Sequence, residues 1–321
     1  MKLKFIFIIS AVLVVIAVYF AFFKGNNSAF NKYDFEIKDT SKIDLIILEN
    51  KHNKLILSKT DNVWMLNNNF YANKDAIKLF LRIFSNLEFV STVDENLKDS
   101  ISDDLEKNAI KLILKSKNKE INKFYIGLAN NYATGTYVKK KDSEPVIINA
   151  PGITNDISKI ISTNSLFWRN KSIFNLNIEQ IKNIEFHNFS NNKKSFYIKK
   201  ETDSYTVKNS KHEKFETDNN QIMRYLSYFK NINFSAIENN ISKSEKDSII
   251  KTNKAFDITV TDINNINYKL KLIFKPNNDS KSEYKYDLNN IYALYNNDSN
   301  LLIIQYFNID AILKEPDYFK K

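Results

Sequence analysis

The chain has 321 residues, a formal net charge of +10 and no cysteine. An exported domain of this size must then fold without disulfides, which favours a bacterial periplasm over a eukaryotic cell surface. The positive charge comes from dispersed lysines, because arginine occurs only at Arg82, Arg169 and Arg224. Guanidinium groups, which bind phosphate through two parallel hydrogen bonds, are therefore nearly missing, and we predict no nucleic-acid partner.

The first predicted element is a transmembrane helix over residues 5–23, an almost wholly apolar run. As a helix the run spans roughly 28 Å, close to the ~30 Å hydrocarbon core of a bilayer. A cleaved signal peptide is the alternative, but the run is longer than usual and lacks a small-x-small cleavage pattern. Lys2 and Lys4 precede it, so residues 1–4 are predicted to be cytoplasmic and the remainder periplasmic, at the bacterial inner membrane.

A polar tether, residues 24–33, leads into a predicted α+β module over residues 34–152. Its helix begins after the N-cap Asn73, with apolar side chains at helical spacing. Seven apolar runs are typical of strands. They are Ile43–Leu48, Lys54–Leu57, Val63–Leu66, Ala109–Leu114, Ile121–Ile126, Thr136–Lys139 and Pro145–Ile148.

A second module, residues 179–321, repeats this order of elements. Its helix begins after Thr217 or Asp218, and its residues align with the first helix in register. The matched positions, in the helix and just after it, are Ile77/Ile222, Leu81/Leu226, Phe84/Phe229, Leu87/Ile232 and Phe89/Phe234. We therefore predict an α+β fold in which a tandem duplication follows the transmembrane helix. Each module is expected to be a mostly antiparallel sheet with one main helix.

Between the modules, residues 153–178 are predicted to form a connecting helical segment that packs the two halves together. The chain has only four glycines, so its turns are expected to use mainly asparagine and aspartate, which tolerate left-handed backbone.

The residues near this join carry a familiar pattern. The pattern comprises Ile126-Gly127, Gly135-Thr136-Tyr137, Glu144-Pro145-Val146, Pro151-Gly152, Trp168-Arg169, Phe174 and Ser195-Phe196. It resembles the bacterial envelope family catalogued as domain of unknown function 4340, in the form common among Bacteroidota. The likeness runs from about Ile43 to Phe319. The chain departs from the pattern at Gly127-Leu128, where a pair of glycines is expected.

The resemblance implies turn glycines at Gly135 and Gly152 and a packing anchor at Trp168. Arg169 is expected on the surface or capping a helix. The resemblance also implies a membrane-tethered envelope protein, of a kind often found alongside transporters of the ATP-binding-cassette type, including gliding-associated ones. It supplies no catalytic residues and no cofactor.

No motif in the sequence specifies an active site. His52, His187 and His212 lie far apart, and without cysteine they do not predict a zinc site. The few glycines exclude phosphate-binding loops and the cofactors that such loops hold. Acids at Asp103, Asp104 and Glu106 could serve glycan hydrolysis, although adjacent acids more often mark a helix start.

Ser248 and Lys251 have the spacing of a serine acyl-enzyme, but lysine is so common in this chain that chance explains it. Aromatic residues on strand positions are the other candidates for binding: Trp64, Tyr137, Tyr197, Tyr205 and Tyr292. Tyrosines on an exposed sheet face could bind a sugar chain or a partner strand, although cross-strand packing is the commoner role.

The main hypothesis is a non-enzymatic scaffold or binding subunit that engages an envelope or membrane protein, with transporter subunits as one candidate partner. An envelope hydrolase, or a glycan-binding protein, acting on peptidoglycan or polysaccharide is the alternative.

Overall fold

The computed structural model describes residues 35–202, 204–277, 282–296 and 298–321. The predicted stub, transmembrane helix and tether, residues 1–33, lie outside this part of the chain. Among the residues that are described, no helix is long and apolar enough to cross a membrane. The chain divides into two compact units between Asn170 and Lys171, so the boundary falls inside the predicted connecting segment 153–178.

The described part of the first unit contains nine strands and three α-helices. The strands are β1 (Leu45–Glu49), β2 (Lys54–Thr60), β3 (Val63–Leu66), β4 (Phe70–Tyr71), β5 (Glu88–Thr92), β6 (Ile110–Ser116), β7 (Lys119–Ala129), β8 (Thr136–Lys140) and β9 (Val146–Asn149). The helices are α1 (Lys74–Phe84), α2 (Glu95–Asn108) and α3 (Ser165–Trp168). All nine strands form one antiparallel sheet in the order β4-β3-β2-β1-β6-β7-β8-β9-β5.

Helix α1 packs on one face of this sheet. The side chain of Asn73 accepts hydrogen bonds from the backbone N–H groups of Asp75 and Ala76, which confirms the predicted N-cap. The apolar side of the helix buries Phe80 and Phe84, whose rings stack at 4.5 Å. Phe84 also lies 5.9 Å from the ring of Phe124 in β7. The helix therefore covers the face of the sheet that holds the main core of the unit.

Helix α2 packs on the opposite face and is additional to the one main helix expected in the module. Side chains alternate along a strand, so Ile126 points into the main core and Gly127 points the other way. A Cβ at Gly127 would lie 2.6 Å from Cδ2 of Leu105, so α2 contacts β7 closely. Asp103 and Asp104 lie well inside α2 rather than at its start, so the helix-start interpretation of these acids is wrong.

The described part of the second unit contains ten strands and three α-helices. The strands are β10 (Ser172–Phe174), β11 (Ile181–Asn188), β12 (Phe196–Lys200), β13 (Tyr205–Asn209), β14 (Ile232–Asn233), β15 (Ala236–Ile237), β16 (Lys254–Asp262), β17 (Asn267–Pro276), β18 (Tyr286–Tyr295) and β19 (Leu302–Gln305). The helices are α4 (Asn219–Ser227), α5 (Lys243–Thr252) and α6 (Tyr306–Ile309). The large antiparallel sheet has the order β13-β12-β11-β16-β17-β18-β19-β15, and β10 pairs separately with β14.

The second unit also carries a helix on each face of its sheet. Asp218 caps α4 by accepting from the N–H of Asn220, in agreement with one of the two predicted caps. The buried ring of Tyr225 in α4 lies 5.7 Å from Phe196 in β12. On the other face, α5 packs Ile249 and Ile250 against a small cluster that includes Ile273 of β17.

Both units are therefore mixed α/β structures with antiparallel sheets, as predicted, but each has a second helix besides the one main helix expected. The turns use asparagine and aspartate heavily, which is also as predicted. Residues with positive φ include Asp61, Asn62, Asn67, Asn68, Asn118, Asp142, Asn265 and Asn296.

Candidate functional site

A polar cavity lies on the sheet of the second unit, on the face that α4 does not cover. Within strand β11, Ile184 and Phe186 point into the core, so Asn183 and Glu185 point outward. Glu185 pairs across the sheet with Tyr197 on one side and with Thr259 on the other. The outward side chains of these strands are therefore mainly polar.

A depression of about 310 Å³ opens on this face, and we call it the Tyr197 depression. Its lining combines an aromatic pair with polar and charged side chains. The lining residues are Asn183, Ile184, Glu185, Tyr197, Ile198, Lys199, Thr206, Lys208 and His212.

The turn after β13 places His212 over Tyr197. The side-chain oxygen of Asn209 accepts hydrogen bonds from the N–H groups of Lys211 and Glu213, at 2.9 and 3.0 Å. Between them His212 adopts a left-handed φ of +63°, an uncommon conformation for a residue with a side chain. Its imidazole stacks on the Tyr197 ring at 4.3 Å with 24° between the planes. His212 is exposed to solvent.

Several polar groups in the Tyr197 depression have no partner among the described residues. The buried side-chain oxygen of Asn183 accepts no hydrogen bond there. Glu185, Lys199 and Lys208 take part in none of the ion pairs of the described chain. A buried acceptor without a donor costs about 1–3 kcal/mol, so this site favours a ligand or solvent that donates a hydrogen bond.

The outward face of the first unit has a different character. Its central row joins three isoleucines, because Ile47 pairs with Ile56 on β2 and with Ile113 on β6. Leu45 and Met65 lie beside this row, and all five side chains are half-buried. We call these five residues the apolar face of unit 1.

Tyr205 borders a second depression of the second unit, of about 320 Å³, together with Met223 of α4. Its hydroxyl donates to the backbone oxygens of Ile178 and Ile181 at 2.9 and 3.0 Å. Burial, followed by the nearby carboxylate of Glu179, raises the pKa of this hydroxyl. Through these contacts Tyr205 links β13 to the start of β11 and to the turn that precedes it.

Tyr292 is only 3% exposed, so it is a packing residue of the sheet rather than a surface group. Its hydroxyl donates to Glu238 at 2.9 Å. Burial and this hydrogen bond raise its pKa strongly.

Lys275 lies over the Tyr292 ring and pairs with Asp287 at 2.7 Å. Burial opposes ionisation of Asp287, but hydrogen bonds from Lys275 and Asn289 hold its pKa below the usual value.

Trp64 and Tyr137 belong to the first unit and are half-buried. Trp64, in β3, packs against the main core, and its backbone oxygen accepts from the N–H of Ala72 at 2.8 Å. Tyr137, in β8, pairs with Ile147 and lies on the face that α2 covers. Tyr205 and Tyr292 belong to the sheet of the second unit.

Trp168 is the packing anchor that the resemblance implied. It is fully buried, and its indole N–H donates to the backbone oxygen of Ser162 at 2.6 Å. The surface position expected for Arg169 is wrong, because the residue is 7% exposed. Its guanidinium lies 3.9 Å from the centre of the Phe70 ring, where burial strengthens a cation–π contact. Arg169 directly follows helix α3, as its C-cap.

The two turn glycines, Gly135 and Gly152, are required for different reasons, and this leads to a matched prediction. At Gly135 an added Cβ would lie 2.6 Å from the backbone oxygen of Ile148, so Gly135→Ala is expected to cost about 3 kcal/mol. Gly152 has φ +69° and no atom within 4 Å of an added Cβ, so Gly152→Ala is expected to cost about 1 kcal/mol. Urea unfolding followed by tryptophan fluorescence measures both. Equal costs would contradict the close approach at Gly135.

The acids considered for hydrolysis are engaged within and beside α2. Asp103 pairs with Lys107 at 3.0 Å, Asp104 accepts from Asn108 at 2.6 Å, and Glu106 pairs with Lys139 of β8. Ser248 and Lys251 both lie in α5. No group of three metal-ligating side chains occurs in the described ranges.

Sequence patterns identified Tyr197 as a strand residue but did not pair it with His212. The available signal was the polar turn after Val207, which begins with Asn209 and is longer than the corresponding turn of the first unit. A hairpin register places the residues of such a turn above the neighbouring strand. The left-handed conformation of His212, which sets the ring position, has no signature in the sequence.

These features define a two-unit α+β protein with antiparallel sheets and a polar depression on one of them. The sequence model of the family described as Domain of unknown function (DUF4340) matches residues 64–250. The chain belongs to this family, which confirms that part of the resemblance; the Bacteroidota form and the membrane tether stay predictions. None of the curated proteins and none of the solved structures that were compared matches the chain.

Proposed function

We propose that this chain is a non-enzymatic binding protein of the bacterial envelope, made of two copies of one module. Residues 5–23 anchor it in the inner membrane, and the modules lie in the periplasm. The proposal rests on a comparison of the two units, because they share one architecture and present different outer faces.

The strand orders support a tandem duplication. Without β4, the first sheet reads β3-β2-β1-β6-β7-β8-β9-β5, and the second reads β13-β12-β11-β16-β17-β18-β19-β15. Strand pairing agrees residue by residue in the central strands. Ile46 pairs with Leu57 and Leu114, and Ile184 pairs with Ile198 and Val260. Along the chain, α1 lies between β3 and β5 and α4 lies between the matched strands β13 and β15, while α2 and α5 directly precede the matched strands β6 and β16, so the match includes the helices.

The contacts that close each unit also correspond. The N–H of Asn73, the cap of α1, donates to the backbone oxygen of Trp168, and the N–H of Asp218, the cap of α4, donates to that of Phe319. Beside these contacts, Ala72 bridges to Arg169 and Thr217 bridges to Lys320. On this basis the first module extends to residue 170, beyond the predicted boundary at 152.

One observation carries the functional proposal: matched outward positions are apolar in unit 1 and polar in unit 2. The strand pairings align them. The pairs are Leu45/Asn183, Ile47/Glu185, Ile56/Tyr197, Met65/Thr206 and Ile113/Thr259. Because the same fold tolerates polar residues here, folding alone does not demand the apolar face of unit 1. This contiguous, half-exposed apolar row is therefore our candidate docking surface.

The surroundings of the apolar face of unit 1 define the chemistry of its partner. Lys115 pairs with Leu45 in the register, and Lys123 pairs with Ile113, so cations border the apolar row. Lys111, two residues before Ile113, is paired with Glu49 at 3.6 Å. A protein segment with an apolar stripe and acidic borders complements this surface. We propose an envelope membrane protein as the partner, with subunits of an ATP-binding-cassette transporter or of gliding-type machinery as candidates.

The test exchanges residues between the two modules in the full-length chain in its native membrane. A photo-cross-linking amino acid at Ile113 is expected to capture one defined membrane protein, identified by mass spectrometry. Adding Ile47→Glu, which imports the residue of the matched position in unit 2, is expected to reduce this capture about tenfold, which corresponds to about 1.4 kcal/mol. Glu185→Ile is the matched control and should leave the capture unchanged.

Tryptophan fluorescence establishes that the Ile47→Glu variant is folded. Capture that is unaffected by Ile47→Glu, or capture of the same protein from a cross-linker at Thr259, would reject the apolar face of unit 1 as the docking surface.

A further inference from the structure

We propose that the Tyr197 depression binds an acidic oligosaccharide, a glycan that carries carboxylate groups. This site is separate from the docking surface proposed above, because it lies on the outward face of the second unit. Three features of the depression support the assignment: a paired aromatic wall, polar groups without partners and an excess of positive charge.

The location on a sheet face favours a glycan over a peptide. A bound peptide strand gains most from backbone hydrogen bonds at a free sheet edge. Here β12 lies between β11 and β13, and both pairings are antiparallel and continuous through the depression. The ligand must therefore bring its own hydrogen-bonding groups. Sugar hydroxyls both donate and accept, so they can donate to Asn183 and Glu185 and accept from Lys199.

The aromatic pair supplies the apolar part of the site. His212 and Tyr197 stack at 4.3 Å, so they present a combined wall with polar edges. Tyrosine and histidine combine an apolar body with a polar tip, which suits the C–H surface of a pyranose ring. The cost of the left-handed backbone at His212 is consistent with a ring position that serves binding.

The charges in the depression select an acidic ligand. Lys199 and Lys208 project from neighbouring strands, and Glu185 is the only acid that lines the depression. Neither lysine is neutralised by an ion pair among the described residues. The site therefore carries a net positive charge, and carboxylates of a ligand would form charge-assisted hydrogen bonds with both ammonium groups.

Isothermal titration of the detergent-solubilised full-length chain tests the proposal. The probe is an oligogalacturonate, and a maltooligosaccharide of equal length is the neutral comparison. We expect the oligogalacturonate to bind and the neutral sugar to bind at least tenfold more weakly. ATP serves as a third probe, because stacking and lysines could also suit a nucleotide.

Variants then locate the binding. Tyr197→Ala and Lys208→Ala are each expected to weaken oligogalacturonate binding about tenfold, whereas Tyr197→Phe keeps the ring and should bind like the parent chain. Tyr132→Ala is the control for general aromatic adhesion, because Tyr132 is 85% exposed in the first unit and far from these residues in sequence. His212→Ala, at an exposed turn, provides a second test if Tyr197→Ala folds poorly.

Several outcomes would overturn the assignment: no sugar binding by a folded chain, equal binding of acidic and neutral sugars, unchanged binding in both Tyr197→Ala and His212→Ala, or preference for ATP. Ile47→Glu must leave oligogalacturonate binding intact. The glycan site and the docking surface of unit 1 can therefore fail independently.

Discussion

Replacing Trp168 with alanine is expected to lower the free energy of unfolding of the first unit by about 3–5 kcal/mol. The indole is fully buried, and its ring meets Phe80 of α1 edge-on at 5.8 Å. Truncation leaves a cavity and removes the donor for the backbone oxygen of Ser162. The backbone oxygen of Trp168 accepts a hydrogen bond from the N–H of Asn73, so the substitution also loosens the start of α1.

Urea unfolding measured by the fluorescence of Trp64, which stays in the first unit, reports this loss. Phe319→Ala is the matched variant, because the Phe319 ring packs on Tyr225 at 5.1 Å in the second unit. It is expected to destabilise the second unit, detected by circular dichroism, and to leave the Trp64 transition in place. Trp168→Phe should lose less than Trp168→Ala. A Trp168→Ala midpoint equal to that of the parent chain would show that this residue does not close the unit.

The elements that sequence patterns predicted are those whose own side chains form the main core. Helices α1 and α4 each combine a side-chain cap with an apolar stripe, so local and tertiary signals agree. Most predicted strands lie within two residues of their observed limits, because alternating burial sets their period.

Helix α2 shows why the predicted order of elements contained only one main helix in each module. It buries one residue, Leu105, and its surface is stabilised by pairs at helical spacing, such as Asp103 with Lys107. A helix with so small an apolar side has no strong periodic signal. Its position depends on Gly127 of β7, a contact between residues distant in sequence.

The Tyr197 depression could be predicted only in part for a similar reason. The alternation of strand residues places Tyr197 and Lys199 outward. The position of His212 depends on the hydrogen bonds that the side chain of Asn209 accepts within the turn. The side-chain oxygen of Asn183 accepts no hydrogen bond because no donor of the described residues lies within reach. These are properties of the folded structure. The contrast between the two outer faces also required the strand register, which aligns Ile47 with Glu185.

Raising the pH above 10 is expected to destabilise the second unit strongly. Burial raises the pKa of Tyr225 well above its usual value, and burial raises the pKa of Tyr295 and Tyr306 to about 12. In the unfolded chain these hydroxyls ionise near pH 10. Above that pH the unfolded state binds fewer protons than the folded state, so the free energy of unfolding falls as pH rises. Below pH 10 the contribution of these groups is fully present.

Tyr225 is expected to contribute most of this decline because it is fully buried, whereas Tyr295 and Tyr306 are half-buried and partly screened by solvent. Urea unfolding followed by circular dichroism at a series of pH values measures the decline in the free energy of unfolding.

Tyr225→Phe is the informative variant. Near neutral pH it should cost about 1 kcal/mol, because the hydroxyl donates to the backbone oxygen of Ile312 at 3.1 Å. Above pH 10 its stability should fall less steeply than that of the parent chain. An identical slope in the two proteins would mean that Tyr225 ionises without unfolding, which is incompatible with its complete burial.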